Sequence, residues 1–509
     1  MSNRTPTPEI DRIWSQVEQL NRWHRLWIEH LDAQTGLNPR HPAGPDGDLR
    51  AYRAAAALYP DQYGKLPNWN DQVDWAEQKT RHDLVAALQV FNSKAGANTA
   101  HLGLTSHDIV DVATQIAIVQ SLEQVIEQAS VLARDLADAA GMWDDQLVVA
   151  RTHGRPAQLT SYGHRIATIV SPLLDWIDRA RDGLDGYPMR PPYGAVGTGA
   201  DLLRVLTGWR GDSKASSRAS GATSKPLEYL GWALTGTEPP KPSEAPSSGR
   251  EPTPVEAEAF LSTYMAQLAG RLGFADTMEA TRQTYHRSYD LHIAGLLAQL
   301  ASIAQTWAND RRLEALLGLG AETRSEGQVG SSAMAHKTNP ILCERIVSLA
   351  AVTRGYLSTA AELAGGEWLE GDVSGSAARR QWLPGIFQNT AAILVNWSDA
   401  HSRWEINRGA MEAEIRSNKI DLSTGAVLQF LVERGHSRDE AHRMVRQAHD
   451  EAGVGPASFF RECLAKLAGG GQSTKDQLRD VMDRAVSLPV GNMVAQIQRL
   501  RDRAAKDRS

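Results

Sequence analysis

Four short segments of this 509-residue chain gather small, polar and ionisable residues in otherwise apolar surroundings. They read "TRHD" (80–83), "GLTSHD" (103–108), "RTHGRPAQLT" (151–160) and "GSSAMAHKTNP" (330–340). The last has no apolar face to bury. It offers two serines, an asparagine and one lysine, a set able to stabilise growing negative charge once the donors are fixed and water is excluded. His153 adds the usual proton carrier of near-neutral chemistry. Each segment also has a plainer reading. Thr105, Ser106 and Asp108 suit the cap of a helix starting near Ile109, His153 suits an ordinary polar position, and Gly-Ser-Ser suits a linker. "GAVGTG" (194–199) looks like a phosphate-binding glycine loop, but no strand precedes it in a βαβ setting, so it is discounted.

The elements that must position these segments are helical. From Asp290, "DLHIAGLLAQLASIAQTWANDRRLEALLGL" sets Ile293, Leu296, Leu297, Leu300, Ile303 and Trp307 at three- and four-residue steps. "IVDVATQIAIVQSLEQVIEQASVLARDLADAAG" and "SYGHRIATIVSPLLDWIDRARDGL" repeat the pattern. Helices of this length bury their apolar stripes only against one another, which predicts a long helical bundle. "SRDEAHRMVRQAHDEAG" opens on a Ser437–Glu440 capping box and closes on Gly453. Strand alternation is scarce. Residues 208–254 are rich in Ser, Gly and Pro and are read as an inserted surface loop, mobile and outside the chemistry.

The chain is long enough for two or three domains. Its net charge of −6 argues against nucleic acid or an anionic membrane as the main partner. The cysteines, Cys343 and Cys463, are far apart without metal-type spacing, which points to a reducing, cytoplasmic setting. "MSNRTPTPEI" has no apolar core of a signal peptide. No apolar run is expected to reach the ~20 residues of a membrane span.

Taken in order, the segments resemble the fumarase/aspartase superfamily. Residues 330–340 are similar to its Gly-Ser-Ser-x-Met-Pro-x-Lys-x-Asn-Pro signature, with Ala335 in place of the proline. "TRHD", "LTSHDIVDVA", "RTHGRPAQLT", "RQTYHRSYD" and "TPEIDRIW" have counterparts in its adenylosuccinate lyase branch, and "GEWLEGDVSGSAARR" resembles that branch's Glu-Arg-Asp-x-Ser-x-Ser segment. The likeness spans nearly the whole chain except the insert.

The resemblance implies an all-α fold in three consecutive parts. These are an N-terminal helical domain (1–110), a central long-helix bundle (111–365) carrying the insert and a signature loop at 325–340, and a C-terminal helical domain (366–509). It implies a homotetramer whose active sites pool residues from several subunits. It implies β-elimination beside a carboxylate, breaking a carbon–nitrogen bond and releasing fumarate. Acid, base and electrostatics suffice for that step, so no metal or other cofactor is expected. In the implied roles Ser331 is the base, and Lys337 and Asn339 bind the carboxylate that accumulates charge. Thr105, Ser106 and Thr152 hold the substrate's carboxylates, and Gln283 binds the substrate. His153 protonates the leaving nitrogen and is oriented by Glu344. Arg4, Arg81, His82, Asp83, Ser332, Met334, Ser376 and Arg380 complete the substrate contacts. A serine base works only when a nearby cation and backbone N–H groups favour its alkoxide.

Departures from the branch cluster where it holds a nucleotide. Its N-terminal Arg-Tyr pair is Arg4-Thr5, the arginine of its Glu-Arg-Asp segment is Gly371, Thr338 stands in its Lys-Arg-Asn, and His107 replaces a Ser or Thr. Phosphate is normally gripped by guanidinium groups and hydroxyls. The sequence alone therefore favours a small nitro- or amino-substituted succinate, as in nitrosuccinate lyases that release nitrite. Adenylosuccinate is the alternative substrate, and an inactive helical scaffold the remote one.

Overall fold

In the computed structural model of the chain, residues 5–38, 41–44, 47–59, 69–208, 252–324, 334, 337–453, 455–486 and 492–506 are described. Arg4, Ser331, Ser332, nearly all of the 208–254 insert and the signature loop apart from 334 and 337–340 lie outside them.

The fold is all-α in three parts. The N-terminal part holds α1 (Pro8–Ile13), α2 (Gln16–Leu37), α3 (Asp48–Ala57), α4 (Trp69–Thr80) and α5 (Asp83–Ala95). The central elements are α6 (Ser106–Met142), the hairpin β1 (Leu147–Thr152) and β2 (Arg155–Ser161), α7 (Tyr162–Asp185), α8 (Ala200–Thr207), α9 (Pro254–Leu272), α10 (Ser288–Leu316), β3 (Gly320–Glu322), α11 (Ile341–Gly365) and α12 (Ser376–Ser402). There follow β4 (Trp404–Ile406), which pairs with β3, and α13 (Arg408–Ser417), α14 (Lys419–Glu433), α15 (Arg438–Ala452), α16 (Ala457–Leu467), α17 (Gln472–Ala485) and α18 (Met493–Lys506).

Local signals start and stop the long helices. Thr105 and Asp108 form a reciprocal capping box at α6, as Thr253 and Glu256 do at α9, where Pro254 takes the first turn. α15 has the expected Ser437–Glu440 box and ends at Gly453. α6 packs along α7, and α10, α11 and α12 pack on one another, while α18 returns to lie along α6 and α7. One continuous core runs from Ile10 to Ala504 and encloses Trp27, Trp176, Trp307 and Trp397. A second, smaller core joins α14 to α17 around Phe460, Leu464 and Met482.

α6 differs from expectation in one respect. Among the described residues it is long and apolar enough to cross a membrane, yet 67% of its most apolar window is buried inside the protein. The apolar length is explained by burial on most sides in the bundle rather than on one stripe.

The N-terminal part buries histidines among aromatic rings. His24 stacks on Phe91 with ring centroids 4.3 Å apart, His30 bonds Tyr264, and His101 accepts from Trp27 Nε1 at 3.0 Å. Burial lowers their pKa values, to about 3 for His24 and His30 and about 4 for His101. These values lie below that of an unfolded histidine, so on acidification the unfolded chain takes up protons first. Stability is therefore lost as pH falls through about 6.5 towards the folded values. By pH 5 each histidine costs about 2 kcal/mol. Denaturation followed between pH 7 and 5 should show this loss, and His24→Phe should flatten the slope. A slope unchanged by His24→Phe would remove this histidine from the explanation.

Candidate active site

The start of α6 is held by a buried ion pair. Thr105 N–H donates to Asp108 Oδ2 at 2.6 Å, and Asp108 Oδ1 accepts from Arg190 Nη1 at 2.7 Å and from the Gly194 N–H at 3.3 Å. Arg190 is fully buried and also donates from Nη2 to the carbonyls of Gln283, at 2.5 Å, and Arg282, at 3.3 Å. Burial pushes the Asp108 carboxyl up, against the lowering pull of Arg190. Arg190 thus fixes two sequence-nominated positions, the Thr105–Ser106 helix start and Gln283, in one frame.

Five other nominated residues lie in or beside this frame. Ser106 Oγ lies 3.3 Å from His82 Nε2, and His82 Nδ1 lies 3.4 Å from Asp83 Oδ1. Asp83 Oδ2 in turn accepts from Arg380 Nη2 at 2.9 Å. Ser376 sits one turn before Arg380, in the first turn of α12. Arg81 makes the reversal between α4 and α5 with a left-handed φ of 55°, which aims the following His82 and Asp83 at α6.

Beneath them lies an ionic floor. Asp111, fully buried, accepts from Arg287 Nη2 at 3.2 Å and Arg379 Nη1 at 3.4 Å, and His107 Nδ1 is 3.7 Å away. Asp290 accepts from Arg379 Nε at 2.6 Å and from the Tyr285 hydroxyl at 2.5 Å. Burial would raise the Asp111 carboxyl, but Arg287, Arg379 and His107 together hold it well below the usual carboxylate range. Removing one partner of such a buried pair strands the other charge, at a cost of roughly 3–5 kcal/mol.

Above this floor opens a cavity of about 620 Å³. Its walls come from the α1–α2 junction, the first turns of α6, the end of α11 and the start of α12. Asp83, Ser376 and Arg380 line it, together with His107 and Arg22. His107 and Arg22 were not nominated as substrate contacts, and neither were Arg190 and Asp111. The signal for Arg22 is a cation on the apolar side of α2, beside Leu20 and Trp23.

The remaining nominated residues lie elsewhere in the protomer. Thr152 ends β1, and His153 and Gly154 form a two-residue hairpin turn with φ values of 52° and 75°. Positive φ at both positions marks the turn type that matches strand twist. The hairpin packs on α13 and α14, and Arg151 pairs with Glu414. Its tip is exposed. Lys337, Asn339 and Glu344 lie at and before the start of α11, with Lys337 and Glu344 exposed. Arg324 braces this entry, donating to Thr338 Oγ1 at 3.2 Å and the Lys337 carbonyl at 3.0 Å. Met334 is exposed. No hydrogen bond or ion pair between side chains links Thr152 or His153 to the α6 start or to Lys337 among the described residues.

Two departures from the resemblance have local causes. A Cβ at Gly371 would run into Gln283 Oε1, so the Gln283 amide fills the space of a side chain there. Thr5 is only 7% exposed, and its hydroxyl accepts from Asn396 Nδ2 at 2.8 Å. The discounted glycine loop is explained by packing: a Cβ at Gly197 would strike the Thr281 backbone. Among the described residues no group of three or more His, Cys, Asp or Glu side chains is placed to hold a metal ion.

The chain is similar to known lyases along most of its length. A family model described as "Lyase" matches residues 66–204. The adenylosuccinate lyase of Saccharomyces cerevisiae is 27% identical over 461 residues, covering 89% of this chain and 83% of the yeast protein. That of Archaeoglobus fulgidus is 26% identical over 490 residues, covering 94% and 93%. Among solved structures, a fumarate lyase from Mesorhizobium sp. BNC1 superposes with a TM-score of 0.74 over 99% of both chains at 17% identity, a likeness of fold.

Proposed function

We propose that this chain, similar along its length to adenylosuccinate lyases, is a fumarate-releasing lyase of the fumarase/aspartase superfamily that breaks the carbon–nitrogen bond of adenylosuccinate by β-elimination. The observation that carries the substrate is the cavity of about 620 Å³ lined by Asp83, Ser376 and Arg380. A dicarboxylate leaves most of that space empty, whereas a nucleotide-sized leaving group falls within the usual ~300–1,000 Å³ of a ligand pocket. The names of the relatives support the same reading.

In this mechanism Thr105, Ser106 and Thr152 hold the succinyl carboxylates. Ser331 takes the proton next to the carboxylate that Lys337 and Asn339 bind. The C–N electron pair leaves with the amine, His153 supplies its proton, and Glu344 orients the imidazole. The protomer gathers Ser106, His82, Asp83, Gln283, Ser376 and Arg380 in one frame, with the hairpin tip and the start of α11 apart from it. By the superfamily resemblance a homotetramer completes each site from several subunits. Sedimentation should then find no active monomer, and a fully active monomer would overturn the shared site.

A second reading keeps a small nitro- or amino-succinate as substrate. It is favoured by Gly371, where the Gln283 amide fills the space an arginine side chain would need, and by Thr5, whose hydroxyl is already engaged. Fumarate release from each candidate, followed by ultraviolet absorbance, decides. We expect adenylosuccinate to turn over in the ordinary range of ~1–10³ per second. Nitrite release from nitrosuccinate with no turnover of adenylosuccinate would establish the second reading instead.

A further inference from the structure

Arg22 is a buried cation that forms no ion pair among the described residues. It is 7% exposed, it lines the 620 Å³ cavity, and its Nε and Nη1 have no hydrogen-bond partner. Among the described residues no carboxylate forms an ion pair with it. Glu18, one turn earlier, is held by Arg12 at 3.4 Å. Burial followed by this one distant attraction leaves its pKa at about 10, so it stays charged at neutral pH. An isolated buried guanidinium is expensive, so a ligand that completes it is the natural counterpart.

The same cavity offers further anion-binding groups. α12 begins at its wall, with Gly375 and Ser376 lining it and no side chain capping the first turn. The Ser376 N–H is taken by the Val373 carbonyl at 2.9 Å, and the next N–H groups of this long helix are left to attract an anion. Arg380 lines the same wall. Its carboxylate neighbour Asp83 takes one of its N–H groups, at 2.9 Å.

We propose that Arg22 is a specificity-determining residue that grips the phosphate monoester of the substrate's leaving nucleotide, opposite the start of α12, and so replaces the guanidinium absent at Gly371. The proposal rests on the nucleotide reading above. It accounts for the buried cation and the missing arginine together: the charge enters the cavity from α2 instead of from the segment before α12.

Calorimetric titration of AMP and adenosine into wild-type protein, Arg22→Met and Arg22→Lys tests it. Wild-type protein should bind AMP more tightly than adenosine. Arg22→Met should lose roughly tenfold to a hundredfold in AMP affinity, the scale of a charge-assisted hydrogen bond, with adenosine affinity unchanged. Arg22→Lys should recover part of the loss, and with adenylosuccinate the defect should appear in KM more than in kcat. Arg22→Gln provides the same comparison if the methionine variant does not fold. An AMP-to-adenosine ratio that stays at its wild-type value in Arg22→Met and Arg22→Gln overturns the role of Arg22 while leaving the nucleotide reading intact. Wild-type protein that neither binds AMP nor turns over adenylosuccinate overturns the nucleotide reading, and this proposal with it.

Discussion

Ser331→Ala should lower fumarate release by ~10²–10⁴ or more while substrate still binds. The proton to be removed sits beside a carboxylate and is only weakly acidic. Its loss places charge on that carboxylate, so the step needs a base at the proton and a cation at the oxygen atoms together. In the proposed site Lys337 and Asn339 supply the second requirement and Ser331 the first. Alanine removes the only group assigned to accept the proton, and it leaves Thr105, Ser106 and Thr152 in place to hold the ground state. The loss should therefore fall on kcat, with affinity for the intact substrate nearly kept. Lys337→Ala differs in kind, because the lysine meets the carboxylate before and during the reaction and its loss should weaken binding as well. The measurements are single-turnover fumarate release and equilibrium binding of substrate to each variant, with thermal unfolding as the check on folding. A Ser331→Ala protein with near-parental kcat would remove Ser331 from the role of base.

The bundle was legible in the sequence because its helices announce themselves locally. α6, α7 and α10 each carry apolar residues at helical steps, and α15 carries both its start and stop signals. The β1–β2 hairpin was harder to see, since Pro156 and the two polar strand ends hide the alternation, and only His153–Gly154 marks the turn. The capping reading and the binding reading of "TSHD" prove compatible. Thr105 and Asp108 cap α6, and this cap sets Ser106 beside His82. The ionic floor was not legible. Asp111 meets Arg287 across 176 positions and Arg379 across 268, and no periodicity encodes a partner at that separation. Arg22 was hidden for a related reason: a cation beside an apolar helix face looks like a solvated edge until the cavity it faces is known.

His153→Ala should separate the two candidate substrates by the chemistry of what departs. An amine is a poor leaving group unless it is protonated as the C–N bond breaks, so elimination from adenylosuccinate depends on an acid at the nitrogen. Nitrite is a weak base and leaves as a stable anion without that help. If adenylosuccinate is the substrate, His153→Ala should lose ~10²–10⁴ in kcat, comparable to Ser331→Ala. If a nitrosuccinate is the substrate, the same variant should lose only about tenfold to a hundredfold, through weaker binding. The hairpin geometry makes the test clean. His153 sits exposed at a two-residue turn in a left-handed backbone conformation, so its side chain contributes little to the core and alanine there removes chemistry rather than packing. The measurement is kcat of the parent, His153→Ala and Ser331→Ala on both substrates across a pH series. Turnover of adenylosuccinate abolished equally by both substitutions fits the nucleotide reading. Turnover of adenylosuccinate that survives His153→Ala at a tenth of the parental rate would take the role of proton donor away from this histidine.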